Sequence, residues 1–378
     1  MQFVIDKRSF VDLVTSAKGA VEPRSPVVIL QTVRLVAAGS EVTMDATDLT
    51  LVVQTRCRAE VASAGVVCVT ASDLFSLVKV LPREGRSVRM EVSASRWVRI
   101  VCGGRVFRLT GIQADDFPNL PDSQAVEFHR IGAAELSALF AATQFSLCKD
   151  DTRPHLAAAL LELTPGRARM VTTDGHRLSR ADCRVDGLNV TASLLLPSRA
   201  VRKIKQVVGR MTAVGLWSTE FIEVGLRPRA PGRPDVAFFR CGRMTLSSKL
   251  VDARFPSYEQ VIPFTHERTV TVSRMALADA VRAVSEMASV DAAKIVVAEG
   301  RVVVSSPEDG EAGVSEEIKA SLQGGGLTFG VNSRFLFEVL KSIDAEDVML
   351  ELSGELDPFV VRPVGRDDYL HILMPLRI

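Results

Sequence analysis

The sequence predicts an α+β protein in which one domain, with two helices packed on antiparallel sheets, is repeated three times. Three observations favour this class. A short strand followed by a helix recurs six times, in two sets of three. Stretches that alternate apolar and polar residues separate these units, as expected of antiparallel strands with one solvated face. Two proline-bearing segments divide the 378 residues into three lengths of similar size, each typical of a domain.

The first set of repeats pairs a strand with an amphipathic helix, at residues 3–17, 128–143 and 270–285. Each helix places its core-facing residues at i, i+3, i+4 and i+7, which is one helical face. These residues are Phe10, Leu13, Val14 and Ala17; Leu136, Leu139, Phe140 and Thr143; and Leu277, Ala280, Val281 and Val284. The first set therefore predicts helices over residues 7–18, 133–143 and 274–286.

The second set of repeats lies at residues 67–81, 194–208 and 327–343. Each has a β-type run, then a polar residue suited to cap a helix, then the helix. The predicted N-caps are Ser72, Ser198 and Asn332. The predicted helices are residues 73–80, 198–210 and 333–342.

Alternating stretches at residues 41–57, 87–102 and 168–183 predict antiparallel strands with one solvated face. Segments 115–123 and 253–263 share a Phe-Pro pair and close the first two repeats. The predicted domains are 1–123, 124–260 and 261–378.

Composition excludes several classes of protein. Hydrophobic residues make up 47% of the chain, enough for packed cores. No apolar run approaches the roughly 18 residues that span a bilayer, and the first residues lack a signal-peptide pattern, so a cytoplasmic protein without a membrane partner is expected. The six cysteines form no CxxC pair and no cluster with histidine. They predict buried, reduced thiols, and neither a metal nor a cofactor is expected.

Positive charge is concentrated on the predicted helices, although the whole chain carries only +1. The six helices have 13 Lys or Arg and 6 Asp or Glu, a net +7, which leaves 33 Lys or Arg and 39 Asp or Glu, a net −6, elsewhere. Helix 198–210 has no acidic residue and predicts a phosphate-facing surface, although an ordinary solvated face is the alternative. Its candidate DNA-binding residues are Arg199, Arg202, Lys203 and Lys205. No base-reading motif is present, so any DNA binding is expected to be independent of sequence.

The string TTDGHRL, residues 172–178, contains the residues of this sequence that most resemble a catalytic site. Asp174 and His176 could form an acid/base pair, and an enzyme is one alternative. However, the sequence has no HExxH, GxSxG, Walker A or GxGxxG motif, and Asp174-Gly175 suits a tight hairpin turn. We therefore predict no catalytic residue. A monomeric repeat protein that binds nucleic acid is the second alternative.

Several strings together resemble the bacterial DNA polymerase III beta subunit family over essentially the whole chain. They are PVVILQTVRL, ATDLTLVV, ADDFPNLP, FSLCKDDTRPHL, TTDGHRL, SSKLVDARFPSYEQVIP and the C-terminal LMPLRI. The resemblance implies a sliding clamp: a homodimer ring of six domains that encircles double-stranded DNA and confers processivity. It also implies three kinds of protein partner, namely the DNA polymerase III alpha subunit, a clamp loader and repair proteins with a clamp-binding motif.

The family binds its partners' peptides in a pocket between the second and third domains. Matching the strings residue by residue places this pocket at Arg153, Leu156, Thr173, Gly175, His176, Arg177, Leu178, Pro256, Val261, Ile372, Met374, Pro375 and Leu376. Packing of the C-terminal strand alone is the alternative for some of these residues. On the DNA side, the resemblance matches Arg24 to a loop position facing the hole and places Lys149 near another such position.

Two departures from the family pattern bear on function. Ser285 and Glu286 fall where the family carries an aliphatic pair at the ring interface. Leu322 falls where the family often has a pocket tyrosine. A weaker, salt-sensitive ring is therefore expected, and the choice of partner is left open.

Overall fold

The computed structural model describes residues 1–150, 152–214, 220–230, 233–287, 290–307 and 313–378, without the side chains of 210–214, 229, 230 and 233. Their contacts form two compact units. Unit 1 consists of Met1–Ala134 and Arg202–Leu250, and unit 2 of Glu135–Val201 and Val251–Ile378. Each unit therefore contains part of the predicted second domain.

Six α-helices lie in the described residues and confirm the six predicted helices within a few residues. They are Lys7–Ser16 (α1), Ala71–Lys79 (α2), Ala133–Thr143 (α3), Ser198–Val214 (α4), Arg274–Met287 (α5) and Ser333–Ser342 (α6). Short 3-10 helices lie at Val28–Gln31, Gln144–Ser146 and Tyr258–Val261.

The predicted N-caps fare differently. Asn332 caps α6 as predicted, with its side chain accepting from the amide of Phe335 at 2.9 Å. The prediction of Ser72 as an N-cap was wrong, because α2 begins at Ala71, two residues before the predicted start, and its N-cap is Thr70. Ser198 is already the first residue of α4.

Unit 1 contains one antiparallel sheet of thirteen strands in its described residues. The strands are Gln2–Asp6 (β1), Thr32–Ala38 (β2), Glu41–Thr47 (β3), Leu51–Arg58 (β4), Glu60–Ser63 (β5), Gly65–Thr70 (β6), Ser87–Val92 (β7), Trp97–Cys102 (β8), Arg105–Ile112 (β9), Phe128–Gly132 (β10), Phe221–Ala230 (β15), Arg233–Cys241 (β16) and Met244–Lys249 (β17). Their order is β10-β15-β16-β17-β4-β3-β2-β6-β9-β8-β7-β1-β5. The β17–β4 pairing, with Leu246 opposite Val53, joins the first and second predicted domains.

Unit 2 contains a sheet of twelve strands in the part of the chain that is described. They are Ala158–Thr164 (β11), Arg167–Thr173 (β12), Arg177–Arg184 (β13), Ala192–Pro197 (β14), Arg268–Ser273 (β18), Ala293–Ala298 (β19), Arg301–Ser305 (β20), Ser315–Gln323 (β21), Leu327–Val331 (β22), Asp347–Leu352 (β23), Phe359–Pro363 (β24) and Tyr369–Leu373 (β25). Their order is β14-β11-β12-β13-β25-β24-β23-β18-β21-β20-β19-β22. The β13–β25 pairing joins the second and third predicted domains.

The predicted amphipathic faces form the cores. Phe10, Leu13 and Val14 of α1 are buried, as are Leu277, Val281 and Val284 of α5. The three alternating stretches form antiparallel strands, as predicted, and they pair as the hairpins β3–β4, β7–β8 and β12–β13.

All six cysteines are free thiols, and five are buried, while Cys183 is partly exposed. Burial raises the pKa of Cys57 and Cys68 to about 11 and that of Cys241 to about 12. These thiols are therefore protonated and unreactive at neutral pH.

Candidate functional site

The turn between β12 and β13 is held by its own side chains. The Thr173 hydroxyl donates to the carbonyl oxygen of Arg177 at 2.7 Å and accepts from the amide of Gly175 at 3.1 Å. One oxygen of Asp174 accepts from the amides of His176 and Arg177, at 3.0 and 3.1 Å. Gly175 has a φ of +92°, a left-handed conformation that favours glycine. The hairpin is therefore preformed, as its Asp-Gly pair predicts.

The Arg177 side chain is buried beneath this turn, and each of its three nitrogens donates a hydrogen bond. Nε donates to Asp174 at 3.0 Å, Nη1 to Glu338 at 2.6 Å and Nη2 to the carbonyl oxygen of Phe145 at 2.6 Å. Its guanidinium carbon lies 4.1 Å from the centroid of the Phe335 ring. Arg177 therefore positions the hairpin from inside rather than reaching out to a ligand.

This arrangement does not support the acid/base alternative. The carboxylate of Asp174 binds Arg177 and two backbone amides, and it contacts His176 only through the amide of that residue. The His176 side chain is exposed. The two groups therefore do not form a hydrogen-bonded pair that could transfer a proton.

The C-terminal tail, residues 374–378, lies against this hairpin. The amide of Met374 donates to the carbonyl oxygen of His176 at 3.0 Å, and the amide of Leu376 donates to that of Gly330 at 2.9 Å. A Cβ on Gly330 would lie 2.5 Å from Cγ2 of Ile378, so glycine permits this close approach. Met374, Leu376 and Ile378 are 40%, 37% and 50% exposed. The tail thus presents apolar side chains to solvent on a fixed backbone.

An apolar cluster lies beside the hairpin and the last strand. Leu178 of β13 pairs with Ile372 of β25, and both belong to this buried cluster. Its members are Ala158, Leu160, Val171, Leu178, Leu195, Tyr258, Val360, Leu370 and Ile372, with Val251, Phe255 and Ile262 packed against them. The cluster gives the hairpin and the tail a rigid base.

The Tyr258 hydroxyl anchors the segment that carries Pro256 and Val261. It donates to Glu162 at 2.8 Å and accepts from Arg169 at 3.1 Å. Burial raises the pKa of Tyr258 to about 12, so the hydroxyl keeps its proton.

The thirteen predicted pocket residues divide into two groups by exposure. The buried group lies beneath the surface and comprises Leu156, Thr173, Arg177, Leu178 and Ile372. The remaining residues are exposed or half-buried and are Arg153, Gly175, His176, Pro256, Val261, Met374, Pro375 and Leu376. Hydrogen bonds and strand pairing bring the 173–178 and 372–376 residues together. Arg153 and Leu156 lie on the preceding turn, linked by a backbone hydrogen bond of 2.9 Å.

Sequence reasoning missed Tyr258 and Val360 in the cluster. The apolar run of β24, Phe359–Pro363, could have indicated a strand beside β25. Leu322, matched to a pocket tyrosine, lies on β21 opposite Val270 and packs against a different cluster, the core of the third repeat.

A second buried polar group links β13 to β25. Nδ1 of His371 lies 3.0 Å from the Ser179 hydroxyl, which lies 2.7 Å from that of Ser146. Burial, and then the charge of Arg177, lower the pKa of His371 to about 3. The ring is therefore neutral at physiological pH.

The six predicted DNA-binding residues differ in accessibility. Arg24, Lys149 and Arg202 are exposed, and Arg199 and Lys205 are half-buried. The prediction that Lys203 binds DNA is corrected by its position. The residue is only 4% exposed, and its Nζ donates to the carbonyl oxygens of Ser16 and Lys18, both at 2.6 Å. An ammonium group held by the carboxyl end of α1 does not reach a phosphate.

Other basic residues on the helices also bind backbone carbonyls. Nζ of Lys7 donates to Pro82 and Arg83 at 3.0 Å, and Nε of Arg274 donates to Ala345 at 2.7 Å. The excess of positive charge on the helices therefore overstates the charge available to DNA.

The residues matched to the ring interface lie at the end of α5. Ser285 is half-buried, while Glu286 is exposed and Met287 is 53% exposed.

The described residues contain no group of three or more His, Cys, Asp or Glu side chains that could hold a metal ion. None of the helices they form is long and apolar enough to cross a membrane.

Known proteins resemble the chain along its whole length. Family models of the DNA polymerase III beta subunit match residues 1–121 (N-terminal domain), 130–257 (central domain) and 259–377 (C-terminal domain). The beta sliding clamp of Pseudomonas aeruginosa is 28% identical, with both chains covered completely. Among solved structures, the DNA polymerase III beta subunit of Thermotoga maritima has a TM-score of 0.91 at 24% identity, covering 100% of this chain and 99% of that one. The Pseudomonas aeruginosa sliding clamp bound to griselimycin has a TM-score of 0.90 at 25% identity, with both chains covered completely.

Proposed function

This chain belongs to the DNA polymerase III beta subunit family, and we propose that it is a DNA sliding clamp that tethers the replicative polymerase to its template. The observation that carries this proposal is the succession of three domain models of one subunit over residues 1–121, 130–257 and 259–377. The clamp is an accessory subunit without a catalytic site of its own.

We propose that each chain contributes three domains, 1–123, 124–260 and 261–378, and that two chains close a ring of six. Three features support the division into three domains: the threefold strand–helix repeat, the β17–β4 pairing inside unit 1 and the β13–β25 pairing inside unit 2. A closed ring around DNA dissociates only when it opens. Processivity then comes from topology and from the high effective concentration of a tethered enzyme, rather than from tight contact with DNA.

The proposed DNA-facing residues are Arg24, Lys149, Arg199, Arg202 and Lys205. Burial lowers the pKa of the Lys205 side chain. The other four residues are three arginines and Lys149, which is exposed. Contacts of guanidinium and ammonium groups with phosphates are independent of base sequence and weaken as salt increases. Such contacts suit a ring that slides.

The proposed docking site for partners is formed by the preformed hairpin and the C-terminal tail. Its support is the exposure of Met374 and Leu376 on a backbone fixed at His176 and Gly330. Methionine and leucine side chains can adapt to several apolar peptides. We propose that the polymerase alpha subunit, the clamp loader and repair proteins use this site in turn, in the cytoplasm.

Primer extension tests the proposal. The alpha subunit with a clamp loader should synthesise longer products per binding event on a primed circle when the full chain is added. Deletion of residues 374–378 should abolish this increase while leaving the sedimenting mass of the dimer unchanged. A short peptide with a Gln and a Leu or Phe anchor should bind the full chain at micromolar affinity, about −8 kcal/mol. Full processivity with the truncated chain would place the docking site elsewhere.

A further inference from the structure

A cavity of about 620 Å³ opens on the solvent-facing side of the unit 1 sheet. Strand β4 shows which side this is. Thr55 is buried and its hydroxyl meets that of Ser16, on α1, at 2.8 Å. Its neighbours Gln54 and Arg56 point to the opposite face, because side chains alternate along a strand, and both line the cavity.

Residues in register on seven strands form one polar row across this face. In spatial order they are Arg130, Glu223, Arg240, Thr245, Gln54, Asp45 and Arg34. The charges at both ends are paired, Arg34 with Asp45 at 2.8 Å and Arg130 with Glu223 at 3.7 Å. The middle of the row lines the cavity and contains Arg240.

Arg240 is held in place without a carboxylate. Its Nη2 donates to the Ser123 hydroxyl at 2.8 Å, and its guanidinium carbon lies 3.6 Å from the centroid of the Phe128 ring. Among the side chains that the structure describes, none forms an ion pair with Arg240 or with the exposed Arg56 and Arg243 across the cavity. These two are joined by a backbone hydrogen bond of 3.1 Å from the Arg56 amide to the Arg243 carbonyl oxygen.

The lining of the cavity is therefore positively charged. It contains three arginines against one carboxylate, Glu223, which already has Arg130 as a partner. Because arginine side chains elsewhere on this chain commonly pair with carboxylates, three unpaired guanidinium groups around one cavity are a candidate anion site.

We propose that this cavity binds a small ligand bearing a chain of two or more phosphates. Strands β16 and β4 lie two strand spacings apart, roughly 10 Å, so Arg240 and Arg56 suit anionic groups at both ends of one ligand. The half-buried hydroxyls of Thr43 and Thr245 also line the cavity and can donate to phosphate oxygens. The volume is that of a small-molecule site, and the lining offers little apolar surface besides Phe221 to anchor a peptide.

Titration calorimetry of the full chain with inorganic tripolyphosphate at low salt tests this proposal. We expect binding that weakens at least about tenfold in Arg240→Gln and again in Arg240→Gln/Arg243→Gln. Glu223→Gln should strengthen binding, because it removes the one carboxylate of the lining. Arg184→Gln is the charge-matched control, since Arg184 pairs with Asp186 in unit 2, and it should bind like the original chain. Circular dichroism checks that each variant is folded.

ATP and a hexaglutamate peptide are the further arms of the experiment. ATP binding at least as tight as tripolyphosphate identifies a nucleotide as the source of the phosphates, whereas tighter tripolyphosphate identifies inorganic polyphosphate. Three results would overturn the proposal: no binding of either phosphate ligand, equal binding by Arg240→Gln and Arg184→Gln, or binding of hexaglutamate at least as tight as that of tripolyphosphate. Because this site lies apart in sequence from the residues proposed for docking and for DNA, such a failure leaves the clamp function standing, and a failed processivity test leaves this site standing.

Discussion

Substitution of Lys203 by methionine tests whether this residue of α4 stabilises the fold rather than binding DNA. The ammonium group binds the carbonyl oxygens of Ser16 and Lys18, and Ser16 is 2% exposed, so its carbonyl would lose a partner that water does not readily replace. An orphaned buried acceptor costs about 1–3 kcal/mol, and loss of a cation at a helix carboxyl end costs about 0.3–1 kcal/mol more. Methionine keeps most of the stem that packs near Gly19, and removing a buried charge offsets part of the loss. We expect unit 1 to lose about 2–3 kcal/mol.

Urea unfolding followed by circular dichroism measures this loss as a lower midpoint, and a DNA retention assay at low salt measures binding. Arg202→Met is the matched control, because Arg202 is the exposed neighbour on α4. It should change stability by less than about 0.5 kcal/mol while weakening DNA association. The reasoning is refuted if Lys203→Met unfolds at the original midpoint and loses as much DNA binding as Arg202→Met.

Three further predictions concern the tail, the buried histidine and the ring. Gly330→Ala should displace Ile378 and weaken peptide binding severalfold in a fluorescence titration, without changing the dimer mass; unchanged affinity would contradict the fixed tail. Since burial lowers the pKa of His371 from 6.5 to about 3, its contribution to stability is present above pH 6.5 and is lost as pH falls. Urea midpoints should show a loss of about 2 kcal/mol at pH 5 that His371→Leu abolishes, and an equal loss in that variant would assign it to other groups. With Glu286 at the proposed interface, sedimentation at nanomolar concentration should show fewer dimers in high salt than in low salt; a salt-indifferent dimer would contradict this assignment.

The hydrophobic pattern predicted the elements of the fold because its periodicity is local. Six helices and the strands of three alternating stretches follow from spacings of 3.6 and 2 residues, which are visible within any short window. Helix starts were harder to predict, because Thr70 and Ser72 are both plausible caps and only the backbone decides between them. The β17–β4 and β13–β25 pairings came from no local pattern, since they join strands far apart in sequence.

The sequence predicted which residues belong to the candidate sites but not what each side chain contacts. Arg177 was placed in the pocket, yet its burial depends on Glu338, 161 residues away. Lys203 was counted as a phosphate ligand, although its position gave a warning. It stands three residues after Ala200 and four before Val207, on the buried face of α4, where a charge must find a partner. That partner, the carboxyl end of α1, is 185 and 187 residues away.

Retention on nicked circular DNA, before and after one cut, tests the central claim most directly. The chain is loaded by a clamp loader, excess protein is removed, and the DNA-bound fraction is measured in moderate salt. A ring that holds DNA by topology stays on the nicked circle and slides off soon after a restriction enzyme makes the circle linear. Equal retention on the circular and linear forms would contradict a sliding clamp and indicate a protein held by direct contacts alone.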